Sequence, residues 1–257
     1  MSGPAVISCE GAPRDLGLDQ GRACAAAIRD RVARAGGRGD WLGRWRPFER
    51  GALARARATA RDVRRHFPHL DERVIGLARG ARVPELALHH LLACELAGEE
   101  QSADLRAGFD AEGRLVIATS DPGILRHAEP DAGFASAEWT LPWLPGALAG
   151  VNRAGLAGAV VSSSGHPAGG CAAPAFLLLQ NCLQQFETVE NAGEWCERRP
   201  AGGTAELWLA DAAGARAVVS VAGAKHTRVE PAATPPDAGW ILDPKRHALE
   251  GPVELEA

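Results

Sequence analysis

Two carboxylates stand where acid–base chemistry can be argued from residue type and neighbours. Glu206 lies in the apolar stretch ELWLA, and a strand there points it either into the protein or into solvent. Buried, it would have a raised pKa and suit the work of a general acid or base. Exposed, it is an ordinary strand residue. Asp121 ends the stretch ATSD before Pro122, where it can orient an amine, act as a base, or serve as a turn residue. Histidine offers less. His89 and His90 are neighbours on a helical stretch, so they project about 100° apart and cannot serve one site. His166 sits in the glycine-rich SSSGHPAGG and His226 in AKHTRVEP. Cys9, Cys24, Cys94, Cys171, Cys182 and Cys196 are widely spaced with no CxxC pair, so neither a zinc site nor a disulfide framework is expected. Cys171 alone falls in a loop, and it would need a histidine or amine partner to act as a nucleophile. Trp139 and Trp143 bracket TLP, where they can wall an apolar or cationic ligand or simply close over the core.

The elements that must position these residues change character along the chain. AVISCEG reads as a short strand. Pro13 suits the first turn of a helix that runs through DLGLDQGRACAAAIRDRVARA. Helices are also predicted over PFERGALARARATARDVRRHF, PHLDERVIGLARGA and PELALHHLLACELAGEE, so residues 12–98 are mainly helical. Hairpins follow: one turning at Asp110–Gly113, one at Asn152–Gly155 and one at AAG between TAELWLAD and ARAVVSVAG. PAFLLLQNCLQQFETVENAGEWCERR divides into two helical pieces. Residues 1–230 are read as one domain, helical in its first part and built of hairpins and helices over 99–230. Residues 231–257, rich in Pro, Ala and Asp, are read as an irregular tail. Helices in one block and antiparallel hairpins in another give an α+β class.

The composition excludes several functions. At 257 residues the chain can bury a substantial core, and 46% hydrophobic with 23% charged residues is ordinary for a globular protein. A net charge of −4 does not favour nucleic acid or an anionic membrane. The arginine-rich stretch from Arg29 to His66 is read as a solvated helical face. No charged segment followed by an apolar core opens the chain, and no apolar run is long enough to span a bilayer. A cytoplasmic protein with reduced cysteines is expected, with a small molecule as its partner, and no cofactor or metal pattern is present.

In order along the chain, five segments resemble the acyl-CoA:isopenicillin N acyltransferase and C45 peptidase family of Ntn hydrolases. ISCEGAPRDLGLDQGRACAAAI, with Gly11, Pro13, Gly17 and Gly21 in step, is similar to its opening motif. LDERVIGLARGARVPELALHHLLACE resembles its helical segment, GVNRAGLAG its central hairpin, ELWLADAAGARAVVSV its later strand pair, and AKHTRVEP its His-Thr element. The resemblance implies a four-layer αββα sandwich with an acyl-binding pocket at one end. It also implies self-cleavage before a cysteine, whose thiol becomes the nucleophile and whose freed α-amine becomes the base.

Departures from that pattern carry information. ATSDP matches the family's strand after the nucleophile, with Asp121 at its aspartate and Thr119 in the same pocket-lining segment. Counting back places Ala103, or with one extra residue Ser102, at the nucleophile. Ser102 can replace a cysteine after cleavage behind Gln101, or it is an exposed turn residue; Ala103 would leave only a pocket wall. An oxyanion-stabilising asparagine is replaced by Glu206, and an ionised carboxylate donates no hydrogen bond. The C-terminal part is shorter than the family pattern implies, so late strands are expected to be missing and a sheet edge to need cover, with a second copy of the chain as the candidate. Three functions are compatible. The first is a pocket repurposed for non-covalent acid–base chemistry by Glu206 and Asp121, such as cyclisation, condensation or elimination on an amino-acid- or polyketide-derived metabolite of secondary metabolism. The second is a self-processing acyltransferase or amidohydrolase using Ser102. The third is a catalytically dead binding protein.

Overall fold

The computed structural model describes residues 4–35, 47–97, 104–121, 123–162, 171–223, 225–229, 238–246 and 248–254. The chain opens with β1 (Ala5–Gly11) and then five helices: α1 (Pro13–Ala23), α2 (Ala25–Ala35), α3 (Pro47–His66), α4 (Pro68–Ala81) and α5 (Glu85–Ala97). Pro13 and Pro68 occupy first-turn positions of α1 and α4, where a missing N–H is not needed. The single long helix expected after Pro13 is divided at Cys24, whose φ of −106° and ψ of 15° leave the helical well.

Helices α1 and α4 touch through glycine. A Cβ on Gly17 would stand 2.0 Å from the Arg73 carbonyl oxygen, and one on Gly76 would stand 1.9 Å from that of Arg14. Gly21 and Gly80 repeat the contact one turn on, each facing backbone of the other helix. Glycine at these positions lets two helix backbones approach to a separation that no side chain permits.

After these helices come β2 (Leu105–Phe109), β3 (Leu115–Thr119), β4 (Ile124–Pro130), β5 (Ser136–Thr140), β6 (Ala149–Asn152) and β7 (Leu156–Ser162). A helical pair, α6 (Phe176–Gln185) and α7 (Val189–Arg198), precedes β8 (Thr204–Asp211), β9 (Arg216–Ala222), β10 (Lys225–Val229), β11 (Ala238–Asp243) and β12 (Ala248–Glu254). The strands form an eight-stranded sheet in the order β1-β4-β5-β6-β7-β8-β9-β10 and a four-stranded sheet in the order β12-β11-β3-β2. Within the larger sheet only β1–β4 is parallel. The class is α+β.

Two faces of the larger sheet have different cover. Trp208 packs against Phe109 of the smaller sheet, with ring centroids 5.4 Å apart. On the opposite face, Gly158 leaves room for Leu179 of α6, and Asn152 donates to the carbonyl of Leu183. The helices of the described residues gather on that side, so the observed layers run helix, sheet, sheet.

The tail is a correction. Residues expected to be irregular contain β11 and β12, and β11 pairs with β3, setting Trp240 opposite Ile117 and Leu242 opposite Leu115. The Pro- and Ala-rich composition misled because it describes the connection, whereas the strands carry Trp240, Ile241 and Leu242, of which the last two are buried.

Candidate functional site

Arg216 fixes the polarity of the sandwich. Its guanidinium lies over the Phe109 ring at 5.7 Å and its side chain lies along Gly113. The β2–β3 turn and the β8–β9 turn therefore share one end. At the opposite end β2 begins, β3 finishes and β8 begins.

A small hydrogen-bonded knot closes that opposite end. The Thr119 hydroxyl accepts the N–H of Asp121 at 3.1 Å, folding the chain back just after β3. The half-buried Asp121 carboxylate then accepts the N–H of Asp104 at 3.2 Å, at the head of β2. Thr119 and Asp121 are therefore brought together, and both are tied to the residue that follows Ala103. Ser102 and Ala103 themselves lie outside the described residues.

Glu206 belongs to the same end. Its register, between Val161 and Ser220, puts it on the face that Trp208 turns to the smaller sheet. It is nevertheless exposed, beyond the cover of that sheet, and it accepts the Trp208 indole N–H at 3.2 Å. Alternation thus aims Glu206 inward, but exposure removes the burial on which its acid–base reading rested.

The tryptophans are not free ligand walls. Trp139 is 1% exposed and belongs to the core. Gly123, at φ +48°, lies so close that a Cβ there would stand 2.5 Å from the Trp139 ring. Trp143 is half-buried and meets a cation, but it is Arg31 of α2, 5.1 Å from the ring. Both residues serve packing, because the loop between them folds onto the helices.

Other candidates have structural partners. His89 is buried beside Asp71 at 3.4 Å, and Arg64 donates to the same carboxylate at 2.8 Å. Burial alone would raise the Asp71 pKa; the nearby His89 ring and the hydrogen bond and charge of Arg64 outweigh it and hold the carboxyl below its ordinary range. A ring nitrogen of His226 lies 2.8 Å from the Cys196 carbonyl oxygen. His166 lies outside the described residues. At Cys171 burial pushes the thiol pKa up, the opposite of what an activated nucleophile needs.

A buried polar network lies on the helical side of the larger sheet, with no counterpart among the sequence candidates. The Glu138 carboxylate receives Arg126 Nε at 2.6 Å, the Ser136 hydroxyl at 2.7 Å and Gln180 Nε2 at 2.8 Å. Arg126 also donates to Gln180 Oε1 at 2.9 Å and to Gln20 Oε1. Gln20 in turn donates to the carbonyls of Pro142 and Leu144 at 3.0 and 2.9 Å. Arg126, Glu138, Gln20 and Gln180 are all 0% exposed. The network pins α1 and α6 to β4, β5 and the loop after β5. Arg73 of α4 is 0% exposed nearby, and its three guanidinium nitrogens have no hydrogen-bond partner among the described residues. Burial lowers its pKa to about 9, helped by the charge of Arg126 and opposed by that of Glu138.

A shallow groove of about 400 Å³ lies elsewhere, on the sheet face turned away from the helices. Leu125, His127, Glu129, Ala137, Val151 and Arg153 line it, and it runs away from Asp121. Among the described residues no group of three or more His, Cys, Asp or Glu is placed to hold a metal ion, and no helix is long and apolar enough to cross a membrane.

No family model and no curated protein matches the chain. Among solved structures it is similar to penicillin V acylase from Agrobacterium tumefaciens, at 24% identity over 49% of this chain and a TM-score of 0.32. The match spans 38% of that acylase chain. A likeness of this size leaves function to be argued from the residues themselves.

Proposed function

We propose that the chain is an enzyme of the acyl-transfer or amide-hydrolysis type, acting on a small molecule at the end of the sandwich where β2 begins. The observation that carries this reading is the Asp121–Asp104 hydrogen bond, which anchors a carboxylate at the head of the strand that Ser102 and Ala103 precede. In this reading the Gln101–Ser102 bond is cleaved. The freed α-amine of Ser102 takes the hydroxyl proton as its oxygen attacks an acyl carbon, then returns it to the leaving group. Asp121 and Thr119 are positioning residues for the head of the strand, and Glu206 borders the mouth of the site.

Intact mass is the test. Purified protein should appear as two fragments breaking between Gln101 and Ser102, and Ser102→Ala should remain whole. A single unbroken wild-type chain after prolonged incubation would exclude the serine nucleophile.

A second reading keeps the site without a nucleophile: acid–base chemistry by Asp121 and Glu206, which share one end of the sandwich. Cyclase-type chemistry on a secondary metabolite belongs to this reading. An unbroken chain whose turnover of a metabolite substrate falls with Asp121→Asn would support it. Association of two copies along an exposed sheet edge is a separate expectation, read from the mass in solution.

A further inference from the structure

We propose that Cys182 and Cys196 form a disulfide that staples the α6–α7 hairpin. All six cysteines are free thiols here, yet the sulfurs of this pair lie 3.4 Å apart and both residues are 0% exposed. Sequence spacing hides the pair, because it is a helical hairpin that brings the two residues together. Only Phe186, Glu187 and Thr188 separate α6 from α7.

Several contacts hold that hairpin independently of the sulfurs. Thr188 caps α7 by accepting the Asn191 N–H at 3.4 Å. The Val189 N–H donates to Asp211 of β8 at 2.9 Å, which seats the finished hairpin on the larger sheet. Phe186 packs on Trp195, with ring centroids 5.8 Å apart. The thiols are therefore in contact because the fold places them so. A bond of about 2.05 Å asks the sulfurs to approach by little more than an ångström.

The chemistry balances with a small-molecule disulfide as oxidant. One protein thiolate attacks a sulfur of the oxidant and expels one small thiolate. The second protein thiolate then attacks the protein-side sulfur of the mixed disulfide and expels the other. Two protein thiols become one S–S bond, the oxidant is reduced to two thiols, and the two protons leave with them. In the folded protein this is slow. The hydrogen bond that the Cys182 thiol shares with Cys196 and burial both favour its neutral form and push its pKa well up, and neither sulfur meets solvent. The bond forms while the chain folds, before the hairpin docks, and docking then shields it from reductants. Its place matters because α6 also carries Gln180, which closes the buried network on Arg126 and Glu138.

The test is refolding of the full chain from denaturant in a mixture of oxidised and reduced glutathione. Alkylation under denaturing conditions, intact mass and peptide mapping follow. The expected product is two hydrogens lighter, has four of its six cysteines alkylated, and yields one cross-linked peptide pair containing Cys182 and Cys196. Its melting midpoint should lie about 5–10 °C above that of the reduced protein. Cys182→Ser and Cys196→Ser should each lose the cross-link. Six alkylated cysteines, or a bond joining any other pair, would overturn the proposal. Wild-type mapping decides even where a variant fails to fold, and the outcome is independent of whether the chain cleaves at Ser102.

Discussion

Gly76→Ala should destabilise the protein by about 3 kcal/mol, at the upper end of ordinary overpacking costs. The sign is the informative part. In a solvated helix, glycine to alanine stabilises by about 0.5–1 kcal/mol, because alanine has less backbone freedom to lose. At Gly76 the added carbon would meet the Arg14 carbonyl oxygen at 1.9 Å and the Leu18 nitrogen at 2.8 Å, both backbone atoms that no rotamer change can move. The two helices would have to separate, loosening the neighbouring contact at Gly80 as well. Gly51→Ala in α3 is the control. Among the described residues its Cβ would meet the far end of Arg55 at 3.9 Å and no other atom within 4 Å, so it should raise stability slightly. Urea denaturation of the two variants should give midpoints displaced in opposite directions. A Gly76→Ala protein as stable as the parent would show that the α1–α4 contact is wider than described.

Glu138→Gln should cost about 3–5 kcal/mol, the usual penalty for breaking a buried pair by removing one partner. The substitution preserves shape but strands the charge of Arg126 at 0% exposure, with Arg73 adding to the excess. A second signature separates this from simple repacking. Burial alone would raise the Glu138 pKa. The charges of Arg126 and Arg73, with hydrogen bonds from Ser136 and Gln180, outweigh burial and hold it below the ordinary value of 4.5. A carboxyl depressed in the folded state contributes stability that is present above its unfolded pKa and is lost as pH falls through its folded pKa. The wild-type protein should therefore lose stability below about pH 4.5 more steeply than Glu138→Gln. Thermal melting at pH 7 and across the acid range measures both effects. Parallel acid limbs would show that Glu138 is not the group titrating there.

How far sequence reading reached depended on where polar residues were buried. The three hairpins were legible because each turn announces itself. Gly113, Gly155 and Gly214 adopt positive φ, and Asp110 and Asn152 accept backbone N–H groups across their turns. Strands β4 and β5 were not legible, and the reason is the buried network. Arg126 and Glu138 occupy core positions while His127 and Glu129 lie exposed, so ILRHAEP has charge on both faces and no apolar alternation. The same burial hid the network itself, since nothing in one sequence marks an arginine as interior. At the candidate site, Asp121 lies near the head of β2 because β3 pairs antiparallel with β2 across the turn that the sequence marks at Asp110–Gly113. The exposure of Glu206 did not, because alternation fixes a face but not how far the opposing sheet extends. Strands β11 and β12 were masked by the composition of the residues around them.

The pairing of β3 has a consequence for how the protein comes to be folded. On one side β3 meets β2 across a tight turn; on the other it meets β11, and every strand of the larger sheet after β1 is made in between. A contact closed over so long a stretch of chain is slow to form, and its entropy cost is met before the contact rewards it. During synthesis the β2–β3 hairpin must wait with an unpaired backbone edge until the last strands arrive, a window in which a nascent chain is exposed to pairing with its neighbours. Completion of the smaller sheet is thus the natural late step of folding, and the head of β2, where the proposed chemistry resides, is held by the sheet that closes last.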